Sequence, residues 1–262
     1  MPLFSFWLVN MSNILVTHNI RKAFGGVMAL DGVDMEVEDG AVTMLMGPNG
    51  SGKTTLINVI AGVYKPEDGQ VTYNGEDITG WPPHKIYQLG LVRTFQVPHP
   101  FVKLTVLENF LVSSRGNEGE GFLKAPFKQT WIKKEEEITD FAFKLLQQLK
   151  LDHLWNEQAY KLSGGQTKLL EIGRALMSGA QVVLMDEPLS GINPTLAHEI
   201  FSHILSLRKD LGITFFIIEH RLEIALQYVD YVYAMDKGKI TVSGAPEKVI
   251  NDPRVIEAYL GG

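Results

Sequence analysis

A glycine-rich stretch that runs into Lys and Thr contains the residues best suited to bind phosphate. Glycines let the backbone curl around phosphate oxygens and present several N–H groups to them at the start of a helix. Lys53 would then reach the β and γ phosphates of a nucleotide, and the Thr54 hydroxyl would ligate Mg²⁺. The predicted nucleotide-binding residues are Gly47, Pro48, Asn49, Gly50, Ser51, Gly52, Lys53, Thr54 and Thr55.

Two adjacent carboxylates, Asp186 and Glu187, follow an apolar run that is typical of a buried strand. Ligands in open α/β sheets bind at the carboxyl ends of the strands. At that edge one carboxylate could hold Mg²⁺ through water, and its neighbour could act on the attacking water as a general base. Taken alone, the pair is explained equally well as two acids that cap a helix. The phosphate loop upstream favours the catalytic interpretation.

A second stretch that could bind an anion is Leu162-Ser163-Gly164-Gly165-Gln166. It precedes apolar residues at helical spacing, and Ser163 is well placed as the N-cap of that helix. The two glycines leave the N-terminal amides bare, as an anion site requires. Taken alone, such a stretch is most often only a loop. Together with the phosphate loop it raises the question of which nucleotide each site serves.

Length and composition exclude several classes of protein. The 262 residues can form one large α/β core with an inserted or flanking subdomain. A formal charge of −6 and scattered Lys and Arg residues disfavour nucleic acid as a partner. The absence of cysteine excludes thiolate metal sites and thiol redox chemistry. The apolar run near the amino terminus is too short to span a bilayer, and we interpret residues 1–10 as a disordered extension that precedes a functional start at Met11.

The order of strand-like and helix-like segments predicts an α/β fold with a parallel sheet. The run 42–46 is apolar throughout, as a strand buried on both faces should be, and it leads into the phosphate loop. Residues 11–96 and 162–262 are predicted to form a nucleotide-binding core with an antiparallel β subdomain, and 97–161 an inserted helical subdomain. The other predicted elements are strands at 14–17, 33–37, 71–73, 182–185 and 213–218, a helix from Thr54 to about Val63, a turn at Asn74-Gly75, a loop at 113–130, and a hairpin of 231–235 with 239–242.

These motifs, in this order, resemble those of the ATP-binding cassette (ABC) ATPases. The resemblance covers essentially residues 14–262 and implies a P-loop NTPase fold of the RecA-like type, with ATP and Mg²⁺ as cofactors and ATP hydrolysis as the activity. In that family the stretch Leu162–Gln166 contacts the γ-phosphate held by the other subunit, so that two cassettes sandwich two ATP molecules. One copy of each motif then implies pairing with an identical or related ATPase subunit. The motifs that carry the resemblance are the phosphate loop, Gln96, Leu162–Gln166, Asp186-Glu187-Pro188 and His220.

The resemblance also implies individual roles. Phe24 matches the aromatic residue that stacks on adenine, Gln96 the glutamine that reaches Mg²⁺ and water, and His220 the histidine that senses the γ-phosphate. Without the resemblance, Phe24 would be interpreted as a core residue, Gln96 as a surface residue and His220 as a structural residue. The implied sets are Glu187, His220 and Gln96 for catalysis, Thr54, Gln96 and Asp186 for the metal, and Ser163, Gly164, Gly165 and Gln166 for contact with the partner's ATP.

Several short segments of the chain resemble those of one branch of ABC importers, the branch that takes up branched-chain and hydrophobic amino acids. That branch implies transmembrane permease subunits as partners, an indirect partnership with a solute-binding protein, and a peripheral place on the cytoplasmic face of the inner membrane. Asn193 stands where many cassettes have aspartate, and it is common in this branch. The similar segments are Phe24-Gly25-Gly26, residues 92–96, Glu108-Asn109, residues 191–194 and residues 258–261.

Two other interpretations remain open at this point. A cassette that extracts lipid or lipopolysaccharide would have nearly identical motifs. A soluble cassette of DNA repair or chromosome architecture is disfavoured, because the segment between Gln96 and Leu162 is too short for a long coiled-coil arm and because the chain is acidic. Composition and spacing alone reveal no cargo.

Overall fold

The computed structural model describes residues 13–94, 96–115 and 128–260 of the chain. The predicted extension at residues 1–10 lies outside these ranges, as does most of the predicted loop at 113–130. Within the described ranges, no helix combines the length and the apolar character needed to cross a membrane.

The strands of the described residues form two sheets. They are β1 (Asn13–Phe24), β2 (Val27–Glu38), β3 (Val42–Met46), β4 (Asp68–Tyr73), β5 (Glu76–Asp77), β6 (Leu91–Arg93), β7 (Val182–Asp186), β8 (Thr214–Ile218), β9 (Tyr231–Asp236) and β10 (Lys239–Gly244). One sheet is antiparallel and has four strands in the order β2-β1-β4-β5, and the other has six strands in the order β10-β9-β3-β8-β7-β6.

The six-stranded sheet positions the candidate site. Strands β3, β6, β7, β8 and β9 run parallel, and only the edge strand β10 pairs antiparallel. Strand β8 lies between β3, which leads into the phosphate loop, and β7, which ends at Asp186. Because parallel strands end at the same edge, the segments that follow β3, β7 and β8 lie side by side.

Helices pack on both faces of this sheet. The α-helices of the described residues are α1 (Lys53–Ile60), α2 (Pro83–Gln88), α3 (Val106–Leu111), α4 (Lys128–Gln148), α5 (Gly164–Met177), α6 (Pro194–Leu211), α7 (Leu222–Ala225), α8 (Pro246–Ile250) and α9 (Pro253–Leu260). Helix α1 follows the phosphate loop, and α3, α4 and α5 pack together in a helical region beside the sheet.

Two hydrophobic cores hold the layers together. Every residue of β3, β7 and β8 is buried, which is why these strands lack an apolar-polar alternation. Alternate residues of one strand enter opposite cores: Leu45 packs with α1 and the antiparallel sheet, whereas Met44 and Met46 pack on the side of the helical region. The sheet is therefore the central layer between two apolar interfaces.

Helices α3 and α5 approach each other closely at Gly173. A Cβ atom at this position would lie 2.0 Å from Cζ of Phe110, whose side chain is fully buried. Only glycine avoids this clash, so the close packing depends on it. The helical packing therefore continues past residue 161, the predicted boundary of the helical segment, into α5.

The structure confirms the predicted fold class and most of the predicted strands. The Asn74-Gly75 turn is also confirmed: both residues have positive φ, 49° and 77°, as a two-residue hairpin turn requires. The prediction of a loop through residue 130 was wrong, because α4 already begins at Lys128. Helix α2 and strand β6 were not predicted; β6 has only three residues, too few to show a pattern.

Candidate functional site

The phosphate loop connects β3 to α1, and two of its glycines are required by close contacts with neighbouring backbone. A Cβ atom on Gly47 would lie 2.1 Å from the carbonyl oxygen of Met235, and one on Gly52 would lie 2.5 Å from that of Ala29. Gly52 also has a left-handed φ of 108°. The loop is thus wedged between β9 and β2, and this packing fixes its path.

The side chain of Lys53, the first residue of α1, reaches back into the phosphate loop. Its ammonium group donates to the carbonyl oxygens of Gly47 at 2.9 Å and Pro48 at 2.8 Å. Burial lowers the pKa of Lys53, and the nearby carboxylates of Glu187 and Asp186 oppose that shift. A cation is therefore held beside the predicted phosphate site and within the electrostatic reach of both acids.

Asp186 is the last residue of β7 and is only 5% exposed. Burial raises the pKa of its carboxyl group, and the neighbouring guanidinium of Arg93 opposes the shift. The Arg93 Nη2 atom lies 3.2 Å from Asp186 Oδ2. The first acid of the pair thus ends a buried strand beside an arginine, an arrangement unlike that of an exposed helix cap.

Glu187 connects the other two predicted catalytic residues. Its Oε2 atom accepts a hydrogen bond from Gln96 Nε2 at 2.7 Å, and its Oε1 atom lies 3.1 Å from Nε2 of His220. The backbone of Glu187 has a left-handed φ of 48°, which is uncommon for a residue with a side chain. Its N–H donates to the carbonyl oxygen of Ile218 at 2.9 Å, so β8 holds this turn in place.

These contacts bring together residues that are far apart in the chain. Gln96 follows β6, Glu187 follows β7 and His220 follows β8, so the three side chains meet at the carboxyl edge of the sheet. A carboxylate that is oriented by an amide and an imidazole can take up a proton from a water molecule. The arrangement fits a general base next to the phosphate loop.

The stretch Leu162–Gln166 begins α5 with a complete capping box. Ser163 Oγ accepts from the backbone N–H of Gln166 at 3.4 Å, and the Gln166 side chain accepts from the Ser163 N–H at 2.9 Å. The prediction that Ser163 is an N-cap is confirmed. Gly164 is exposed, and a Cβ atom there would have no neighbour within 4 Å. The amino end of this helix is therefore open to an approaching ligand.

The remaining predicted residue, Phe24, lies on the surface. The residue is 43% exposed, and its ring makes an edge contact with Tyr64, with 5.2 Å between the ring centroids. The ammonium group of Lys22 lies 5.4 Å from the centre of the same ring. Phe24 is thus an exposed aromatic residue rather than part of the core, and its stacking on adenine stays a prediction.

The donor atoms predicted for Mg²⁺ suit that ion. Thr54 offers a hydroxyl, Asp186 a carboxylate and Gln96 an amide oxygen, which are the hard oxygen ligands that Mg²⁺ prefers. In nucleotide sites Mg²⁺ takes few protein ligands and is completed by phosphate oxygens and water. The residues present therefore fit a magnesium ion that is carried by a nucleotide.

Several residues that shape the site were missed by sequence reasoning. Glu219 is 2% exposed, and its carboxylate accepts hydrogen bonds from the backbone N–H groups of Leu189, His220 and Arg221. Lys168 Nζ lies 3.4 Å from the carbonyl oxygen of Glu187, and burial lowers the pKa of that lysine. An acid at the end of an apolar strand was the available signal for Glu219; Lys168 had none.

The carboxyl-terminal helix was also missed as a neighbour of the phosphate loop. An open cleft of about 560 Å³ is bounded by Pro48–Ser51 on one side and by Arg254, Glu257 and Ala258 of α9 on the other. Burial raises the pKa of the Tyr259 hydroxyl, which faces the backbone of Gly47. Helix α9 therefore lies beside the phosphate loop, where β3 ends.

The fold and the site together define an ATP-binding cassette ATPase. A family model described as "ABC transporter" matches residues 30–190, and a second, described as "Branched-chain amino acid ATP-binding cassette transporter", matches residues 242–262. The chain belongs to the ABC transporter family.

Relatives that match nearly the whole chain carry similar names. It is 52% identical over 252 residues to the "Probable branched-chain amino acid transport ATP-binding protein LivG" of Methanocaldococcus jannaschii, with 95% of this chain and 97% of that protein covered. Identity to the protein of that name from Archaeoglobus fulgidus is 48%, with 95% of each chain covered. The "High-affinity branched-chain amino acid transport ATP-binding protein BraF" of Pseudomonas aeruginosa is 35% identical, with 95% and 98% covered.

Solved structures show the same fold. The ADP conformation of an ATP-binding cassette of an ABC transporter superposes with a TM-score of 0.83 at 50% identity, covering 96% of this chain and all of that one. A nucleotide-free cassette superposes with a TM-score of 0.82 at 49% identity, with the same coverage.

Proposed function

We propose that the chain is the ATP-hydrolysing subunit of an importer for branched-chain or other hydrophobic amino acids, in which two cassettes enclose ATP. The main support for an ATPase site is the position of Glu187, whose two carboxylate oxygens contact Gln96 and His220. The cargo rests on the names of the relatives and on the family match at residues 242–262. No feature of the described residues favours lipid extraction over uptake.

The proposed mechanism assigns a step to each part of the site. Backbone amides of the phosphate loop and the Lys53 ammonium hold the β and γ phosphates and offset their charge. Thr54, Asp186 and Gln96 would hold Mg²⁺, which would supply charge neutralisation at the phosphates. Glu187 accepts the proton of the attacking water. His220 orients this carboxylate and senses the γ-phosphate by contacting it.

The second half of each ATP site comes from a partner cassette in this proposal. The amino end of α5 presents an exposed glycine, Gly164, and a helix amino terminus of this kind suits the γ-phosphate of a nucleotide bound elsewhere. Lys168 ties the same helix to the backbone of Glu187 at 3.4 Å. Binding of the partner's ATP at the start of α5 is therefore linked to the position of the chain's own catalytic acid.

The permease is proposed to dock beside Gln96. Val97, Phe101 and Val102 are 65%, 49% and 51% exposed on the segment between β6 and α3, and apolar residues in such a group are typical of a protein interface. A cleft of about 180 Å³ next to them is lined by Tyr87, Arg174 and neighbouring residues. A short helix from a transmembrane subunit fits this surface, which would place the chain on the cytoplasmic face of the inner membrane.

The proposed function is tested by isolating the transporter from native membranes through an affinity tag on this chain. We expect two transmembrane subunits and a second cassette chain, identical or related, to copurify. In liposomes the complex should take up leucine, isoleucine and valine only with ATP and the cognate solute-binding protein. The matched control is the same complex with Lys53→Ala, which should assemble but not transport. A complex that moves lipid and ignores these amino acids would contradict the proposed cargo.

A further inference from the structure

Arg93 is a largely buried arginine whose side chain connects the end of β7 to helix α1. Its side chain is 18% exposed and its Nη2 atom lies 3.2 Å from Oδ2 of Asp186, whose side chain is 5% exposed. Its Nη1 atom donates to the side-chain oxygen of Asn58 in α1. Asn58 in turn donates from Nδ2 to the carbonyl oxygen of Thr54 at 2.7 Å. A continuous chain of contacts thus runs from Asp186 through Arg93 and Asn58 to Thr54.

The sheet explains why Arg93 can reach Asp186. Strands β6 and β7 are adjacent and parallel, with Arg93 in register with Leu184, two residues before Asp186. The next residue, Thr94, donates its N–H to the carbonyl oxygen of Leu184 at 2.9 Å. Strand β6 then leads to Gln96, which contacts Glu187. The same short strand therefore supports both acids at the end of β7.

Stability alone does not explain a charge at this position. The Nε atom of Arg93 is buried and has no hydrogen-bond partner among the described residues, and leaving a buried donor unsatisfied costs about 1–3 kcal/mol. Buried ion pairs with incomplete hydrogen bonding contribute little or nothing to folding. The ion pair uses only Oδ2 of Asp186, so Oδ1 stays clear of this contact.

We propose that Arg93 is a positioning residue for the magnesium site, holding Asp186 and, through Asn58, the helix turn of Thr54 at a set separation. This inference rests on the proposed function, in which Thr54 and Asp186 face Mg²⁺. Arg93 does not touch the ion or the nucleotide. It fixes one carboxylate oxygen of Asp186 and leaves the other available for a water molecule that a magnesium ion would carry, and it couples that carboxylate to the strand that leads to Gln96.

The test compares nucleotide binding with and without the metal. In Arg93→Met the arginine is replaced by an unbranched apolar side chain, and ATP affinity is measured on the full chain by calorimetry in EDTA and across a Mg²⁺ titration. The Mg²⁺ concentration for half-maximal effect should rise by about tenfold or more, as loss of a ligand-orienting residue does. Affinity in EDTA should change little. Arg93→Lys restores the positive charge but not the two Nη donors of the guanidinium, so it should recover part of the loss. Asn58→Leu should raise the half-maximal Mg²⁺ concentration by a smaller factor than Arg93→Met.

Arg208→Met is the matched control. Arg208 also pairs with an aspartate, Asp230, at 2.9 Å, and donates to a backbone carbonyl, that of Gly40, but it lies by the opposite end of β3. Its loss should leave the Mg²⁺ dependence unchanged. If Arg93→Met weakens ATP binding equally in EDTA and in Mg²⁺, or leaves the Mg²⁺ dependence as in the wild type, the positioning role is overturned. A wild-type chain that binds ATP equally with and without Mg²⁺ would instead overturn the magnesium site itself, and the inference with it.

Discussion

Replacing Glu187 with glutamine is expected to slow ATP hydrolysis at least about 100-fold while ATP binding is kept. The amide has nearly the shape of the carboxylate and can still hydrogen-bond to Gln96 and His220, which lie 2.7 Å and 3.1 Å from its two oxygens. It cannot take up the proton of the attacking water. The measurement is single-turnover hydrolysis together with equilibrium ATP binding, so that loss of chemistry is separated from loss of affinity.

Glu223→Gln is the matched control for this variant. Glu223 follows His220 by three residues, is 69% exposed and pairs only loosely with Arg221 at 3.5 Å. Removing its charge should leave hydrolysis within about twofold of wild type, as is usual for exposed ion pairs. Near-normal turnover in Glu187→Gln would reject the role of Glu187 as general base. A loss of the same size in Glu223→Gln would show that the effect is not specific to the site.

Lys53→Ala is expected to weaken ATP binding at least about 100-fold, which corresponds to about 2.7 kcal/mol. The variant removes the only lysine of the phosphate loop, whose ammonium group is held by the carbonyl oxygens of Gly47 and Pro48. It also removes the side-chain donor that joins these two carbonyls, so the loop loses an internal support, although the Pro48 carbonyl still accepts from the Ser51 N–H at 3.3 Å. Binding would be followed with a fluorescent ATP analogue, and the thermal unfolding midpoint would show whether the fold is retained.

Lys65→Ala provides the comparison for Lys53→Ala. Lys65 is exposed and lies shortly after α1, so its removal takes the same charge from the chain without touching the loop. ATP affinity should stay close to that of the wild type. Undiminished ATP binding in Lys53→Ala would count against the assignment of the phosphate loop.

The sequence was most informative where local patterns determine structure. Continuous apolar runs predicted β3 and β7, because strands buried on both faces need no polar side chains. Ser163 was recognisable as an N-cap because the side chain bonds only to its own helix end. The motif residues were found because glycine, lysine and acid spacing reflects phosphate chemistry. These features depend on residues that are near one another in the chain.

The contacts between strands could not be predicted in this way. That Gln96 and His220 both reach Glu187 depends on β6, β7 and β8 being neighbours, and the order of strands in a sheet does not follow from their sequences. In the sequence, Arg93 is only a charged residue at the end of a short apolar run. Only the parallel register of β6 with β7 shows that it points toward Asp186. The roles assigned to these residues stay predictions until the variants are measured.

The stretch Leu162–Gln166, which we propose to complete the ATP site of a partner cassette, can be tested directly by one substitution. Gly164→Glu places a negative charge where the partner's γ-phosphate would lie. The fold should tolerate it, since a Cβ atom there meets nothing within 4 Å and an acid suits the first turn of a helix.

The measurement is the ATP affinity of the isolated Gly164→Glu chain beside the ATPase rate of the assembled transporter that contains it. We expect an unchanged affinity in the isolated chain and a rate at least about tenfold lower in the complex, because like charges that face each other across an interface cost several kcal/mol. A loss of ATP affinity in the isolated chain as large as the loss of rate, or a complex that hydrolyses ATP at the wild-type rate, would contradict this proposal.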